Sequence, residues 1–193
     1  MGDSKKSEKA GVVLTTPRLV LRAGCNSDIP ELHRKVFSDP DVMRHLFNGV
    51  ALTEIESAAF VREHFNSGDD KTGLSTLVEK ASGRVIGFAG LKSCAVLGAD
   101  DLEIGFALAR EAWGKGFASE IGQAQLAFGF QRLKCRRLLA LVHPGNAASI
   151  RTLEKLSMRY LEDVAVDGRG PRRAYCIRVE QWSERASLNN GHG

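Results

Sequence analysis

The sequence predicts an α/β fold, a mixed and mostly antiparallel sheet with one central βαβ unit and flanking helices. Three observations carry this. First, Leu102, Ile104, Phe106 and Leu108 alternate with Glu103, Gly105, Ala107 and Ala109, the period-two pattern of a strand. A short loop with glycines at 114 and 116 leads from it into a long helix, and the dense apolar strand Arg137 to Val142 follows. Strand, helix, strand in that order implies a parallel right-handed crossover. Second, Leu74 to Glu79 with Val85 to Leu91, and Tyr160 to Val166 with Arg173 to Val179, read as hairpins across the glycine turns at 81–84 and 167–171. Third, short capped helices fill the stretch between the first strand and the first hairpin.

Taken in order, residues 1–13 are expected to be a disordered tail, charged and polar, with neither a signal peptide nor a membrane anchor. Arg18 to Arg22 is the first strand. Ser27 is placed to cap a helix over Asp28 to Phe37, and Asp39-Pro40 restarts one with Asp at the cap. Thr53 and Glu56 form a capping box for a helix to about Phe65, ended by Ser67-Gly68-Asp69-Asp70. Phe37, Met43, Leu46 and Phe47 either line an acceptor site or are plain core. In the long helix, Phe117, Ile121, Ala124 and Phe128 make one apolar stripe; Leu126, Phe130 and Leu133 make a second, so it is buried on two sides. Asn146 caps a further helix in which Ile150, Leu153 and Leu156 share a face. One domain over 14–182 and a flexible tail over 183–193 complete the division.

With 193 residues the chain can bury a core without disulfides or metals. A formal charge of +4 suits an anionic ligand but is too weak and scattered for nucleic acid. The four cysteines, Cys25, Cys94, Cys135 and Cys176, form no C-x-x-C pair and suggest reduced thiols in a cytoplasmic protein. No ligand spacing among the histidines suggests a metal, and no apolar run approaches membrane-spanning length.

The loop between strand and long helix is where chemistry concentrates. The first N–H groups of a helix lack internal partners and sit at the positive end of its dipole. Gly114 and Gly116 keep side chains from between them and a ligand, which makes either an anion site or a bare tight turn. The P-loop and the dinucleotide fingerprint both fail: glycine is missing at Ala109 for one and at Ser119 for the other.

Trp113-Gly114-Lys115-Gly116-Phe117-Ala118 resembles the acyl-CoA loop of the GNAT N-acetyltransferases, [QR]-x-x-G-x-[GA], with Trp113 in place of Gln or Arg. The longer WGKGFASE, the opening L-T-T-P-R-L-x-L-R and the string N-A-A-S-I-R-T-L-E-K-L-S-M also resemble that family, in its ribosomal-protein N-terminal acetyltransferase (RimJ/RimL-like) branch. In the last string Ser157 replaces a glycine usual after the helix, where a left-handed residue is common.

The resemblance implies a GNAT fold and acetyl-CoA as co-substrate, with direct transfer to a primary amine and no acyl-enzyme. It implies that the loop from Trp113 through Gly114, Lys115, Gly116, Phe117 and Ala118 to Ser119 holds the pyrophosphate. The backbone of Phe106, Ala107 and Leu108 would pair with the pantetheine arm, and Asn146 would touch the cofactor. Lys115 either adds charge at the phosphates or is solvated. Glu103 is the expected general base, against a sheet-edge or arginine-paired carboxylate. Ser149 is the expected acid to the thiolate, against a local capping serine, since the tyrosine many members use falls at Leu153. Arg169, Arg172 and Arg173, in the last hairpin, either select an acidic peptide or solvate a turn. The expected acceptor is a protein N-terminal α-amine. The alternatives are a small amine (polyamine, amino acid or aminoglycoside) and a non-catalytic acyl-CoA-binding module. An acidic pocket would favour the polyamine. Monomer and homodimer stay equally open.

Overall fold

The computed structural model describes residues 11–66 and 72–190, with side chains to residue 184. The expected helix stop at Ser67 to Asp70, and most of the N-terminal tail, lie outside the described residues. In chain order come β1 (Val12–Thr15), β2 (Leu19–Arg22), α1 (Ile29–Leu32), α2 (Pro40–Met43), α3 (Glu54–His64), β3 (Gly73–Glu79), β4 (Val85–Cys94) and β5 (Asp101–Leu108). After them come α4 (Phe117–Ala127), β6 (Arg137–Val142), α5 (Ala147–Lys155), β7 (Arg159–Val166), β8 (Gly170–Arg178) and α6 (Val179–Asn190). They build one eight-stranded sheet of order β1-β2-β3-β4-β5-β6-β8-β7. Only β5 and β6 run parallel, joined by α4; all other neighbours are antiparallel.

The two faces follow from strand alternation. Phe88 and Ala107 face α1–α3, packing with Leu32, Phe37, Met43 and Val61. Their neighbours Ala89 and Leu108 face the other way, onto Phe117 and Ile121 of α4. On the first face Phe37, Phe60, Phe65 and Phe88 make a chain of ring contacts at 5.4–6.4 Å between centroids. Such pairs add roughly 0.5–1.5 kcal/mol each beyond burial.

Several local expectations meet corrections. Val12–Thr15 is a strand paired with β2 whose first two residues fall in the stretch expected as tail, because Thr16-Pro17 turns the chain back on itself. The backbone of α6 is helical to Asn190, past residue 183, where the sequence suggested a tail. Ser27 does not cap; the Asp28 carboxylate instead accepts the Cys25 N–H at 3.1 Å. The long helix widens to a π-type turn over Phe128–Arg132. The caps at Asp39, Thr53–Glu56 and Asn146 form as expected. Ser157 takes the left-handed backbone, with φ at 63°.

Candidate active site

β5 and β6 touch at only two register pairs, Leu102 with Leu138 and Glu103 with Leu139, and then part. β4 stays paired to β5 through Leu108, so from Ile104 onward β5 has strand neighbours on the β4 side alone. A parallel pair that splays this way exposes a row of backbone groups, a ready edge for an extended ligand. Phe106, Ala107 and Leu108 lie on that edge.

The edge leads into the glycine loop. Gly114 and Gly116 have φ of 74° and 79°, a region side chains avoid, and Gly116 is the N-cap of α4. The N–H groups from Gly114 to Ser119 find no acceptor among the described residues, as expected at a helix start. Lys115 and Ser119 belong to this rim, Phe117 is buried in the core and Ala118 packs beside it. Trp113 is half-exposed, its indole N–H donating to the Leu108 carbonyl at 2.8 Å, so it ties loop to strand instead of presenting a polar side chain.

Sequence reasoning missed Arg18 as part of this loop. Its guanidinium donates to the Lys115 carbonyl at 2.9 Å, pairs with Glu120 at 2.6 Å and lies 4.6 Å from the Phe117 ring centre. The signal was the opening string containing Arg18, which gave the position but not its partner 97 residues on.

Beside the splay lies a pocket of about 110 Å³. Glu103, Phe106, Asn146 and Ser149 all line it, although 46 residues separate the first from the last. Phe47, Phe60, Leu74, Phe88 and Leu153 give it apolar walls. Phe37 and Met43, by contrast, are wholly buried core. The Asn146 side chain accepts the Ser149 N–H at 3.1 Å, while the Ser149 hydroxyl bonds to no described residue. The serine's own side chain is therefore not spent on the cap.

Glu103 is buried, and both its oxygens accept from Arg169 at 3.0 Å. The arginine-paired arrangement is the one observed. The last hairpin is correspondingly different from a solvated turn. Arg169 reaches into the pocket, and Arg172 is 2% exposed, donating to the carbonyls of Pro171 and Phe47. Arg173 alone stays outside, 3.8 Å from Asp163.

His45 and His143 also line the pocket, with ring centres 5.0 Å apart, a pairing that residues 98 positions apart do not announce. The His143 Nδ1 accepts the Gly145 N–H at 3.0 Å, which places its proton on Nε2 in the neutral ring. Burial holds the His45 imidazole below its ordinary value, with His143, Arg44 and Arg172 adding to the effect.

An exposed strand edge, a free set of helix-start N–H groups beside basic residues and an adjoining pocket together suit an elongated ligand with an anionic end. The family profile described as Acetyltransferase (GNAT) domain matches residues 18–159. The chain belongs to the GNAT acetyltransferase family. It is similar to the uncharacterized protein YkkB of Bacillus subtilis (strain 168), 33% identical over 78% of this chain and 87% of that one. It is likewise 33% identical to the uncharacterized N-acetyltransferase p20 of Bacillus licheniformis, over 76% of this chain and 82% of the relative. Among solved structures, a GNAT-family acetyltransferase from Bacillus anthracis superposes with a TM-score of 0.73 at 27% identity, over 86% of this chain and 98% of that one. The protein is thus an N-acetyltransferase, and enzymes of the GNAT family use acetyl-CoA with an amine acceptor. Among the described residues no three metal-ligating side chains converge, and no helix is long and apolar enough to cross a membrane.

Proposed function

We propose that the protein transfers acetyl from acetyl-CoA directly to an α-amine, first of all the N-terminus of a protein. The ribosomal-protein branch that the sequence resembles supports that choice. The observation that carries it is the bidentate Glu103–Arg169 pair. Glu103 is the one carboxylate lining the pocket among the described residues, and to take up a proton it must give up part of an ion pair. That suits an α-amine with pKa near 8, already about one-tenth neutral at pH 7, and not a lysine or polyamine amine near 10.4, neutral in well under one part in a thousand. The neighbouring cations lower the acceptor's own pKa further, because they disfavour its ammonium form.

In this reading Gly114 to Ser119 hold the pyrophosphate through free N–H groups, with Lys115 and Arg18 supplying charge and support. The Phe106–Leu108 edge pairs with the pantetheine arm, and Asn146 borders it. Bound there, acetyl-CoA supplies the activated acetyl thioester. Glu103, directly or through water, receives the proton of the incoming amine, and the free hydroxyl of Ser149 donates to the departing sulfur. Holding amine and thioester together supplies most of the rate.

The test is an amidated peptide with one free α-amine and one lysine, incubated with acetyl-CoA and analysed by fragment mass spectrometry. Acetyl on the N-terminal residue is the expected result. Acetyl on the lysine alone contradicts the α-amine reading, as does turnover only with polyamines.

A further inference from the structure

The pocket's charges do not balance. Among the described residues one carboxylate, Glu103, faces two cations in the lining, Arg169 and Lys92, and a third, Arg172, stands behind the wall. Arg169 is paired with Glu103, yet its Nε–H is buried without an acceptor among the described residues. Arg172 is fully buried and donates to two backbone carbonyls, which neutralise no charge; it makes no ion pair among the described residues. Lys92 lies opposite Glu103 across the β4–β5 ladder and also makes no ion pair among them. Burial, and then the nearby Arg169, hold the Arg172 guanidinium below its ordinary value, with Glu103 opposing them only in part.

A buried guanidinium with no carboxylate in direct contact is expensive, because its field is poorly screened. That same field reaches into an adjoining pocket and draws anions there. The Arg172 bond to the Phe47 carbonyl also fixes the pocket wall: Phe47 has φ at 44°, a conformation bulky residues rarely hold without such support.

We propose that the acceptor is acidic, an α-amine with a carboxylate close by, selected by the unbalanced positive charge of Arg169, Arg172 and Lys92. This rests on the α-amine reading above and deepens it. The carboxylate balances the charge of Arg169 and its neighbours at the lining, while the same cations keep the amine from binding as a tightly held ammonium. Two sources share this chemistry: a peptide N-terminus with Asp or Glu among its first residues, and a free acidic amino acid.

Thiol release from acetyl-CoA is measured for three amidated peptides differing only at their second residue, Asp, Asn or Lys, and for free aspartate. The expected order of kcat/KM is Asp above Asn above Lys, with Asp at least tenfold over Lys at low salt and the gap narrowing as salt rises. Lys92→Gln, at an exposed strand position, shrinks that gap several-fold without setting a second carboxylate opposite Glu103. Faster release from the Asp peptide than from aspartate names the N-terminus as source; the reverse names the amino acid, and both uphold the charge selection. Equal rates for Asp, Asn and Lys overturn the charge selection and leave α-amine transfer standing. No release from any of them, with acetyl-CoA still raising the Tm, overturns both.

Discussion

Glu103→Gln separates the two jobs its carboxylate holds. As partner to Arg169 it neutralises a largely buried cation, so the substitution costs about 1–3 kcal/mol of stability. As the proton acceptor in the pocket it governs turnover, so kcat falls by roughly 10² or more while acetyl-CoA affinity stays. Ser149→Ala leaves the Asn146 cap intact, since that bond uses the serine's backbone, and lowers kcat alone. Rates and titration calorimetry on both variants check this; wild-type turnover in both would remove the assigned roles. An arginine partner for Glu103 stood among the alternatives read from the sequence, but which arginine it is, and the burial of Arg172, could not be read there. Glu103 and Arg169 lie 66 residues apart, and a hairpin rich in arginine and glycine reads locally as solvated. The Asn146 cap onto the Ser149 N–H was legible because a helix start is local.

The loop and α4 are where sequence said most, because helix starts and glycine turns are short-range matters. Gly116→Ala places a Cβ in left-handed backbone, at roughly 1–2 kcal/mol, and stands it among the free N–H groups. Acetyl-CoA affinity falls at least tenfold, by calorimetry, and the Tm drops by roughly 2–8 °C. Unchanged affinity would take the pyrophosphate away from this loop. Elements governed by distant partners were less legible. β1 has only four residues and gains its place by pairing with β2, and α6 extends past where side-chain patterning gave out.

At the scale of the molecule, the β5–β6 splay organises everything else. It is a consequence of the βαβ unit sitting inside an antiparallel sheet, and it sets the strand edge, the loop and the pocket side by side. The class of fold, its hairpins and its one parallel crossover were readable from alternation and connection rules, but not the place of β8 between β6 and β7. The splay itself was not, because register between two strands separated by a helix is settled by packing. Ligand linkage tests this whole arrangement at once. The decisive measurement is thermal unfolding across a range of acetyl-CoA concentrations, with thiol release followed on the same samples once an α-amine peptide is added. At a hundredfold excess over Kd, binding adds about 2.7 kcal/mol, a rise of roughly 5–11 °C for a domain this size, and thiol appears only with the peptide. A Tm that does not move over that range, with no thiol released, would contradict the assignment of the splay and the 114–119 loop to acetyl-CoA.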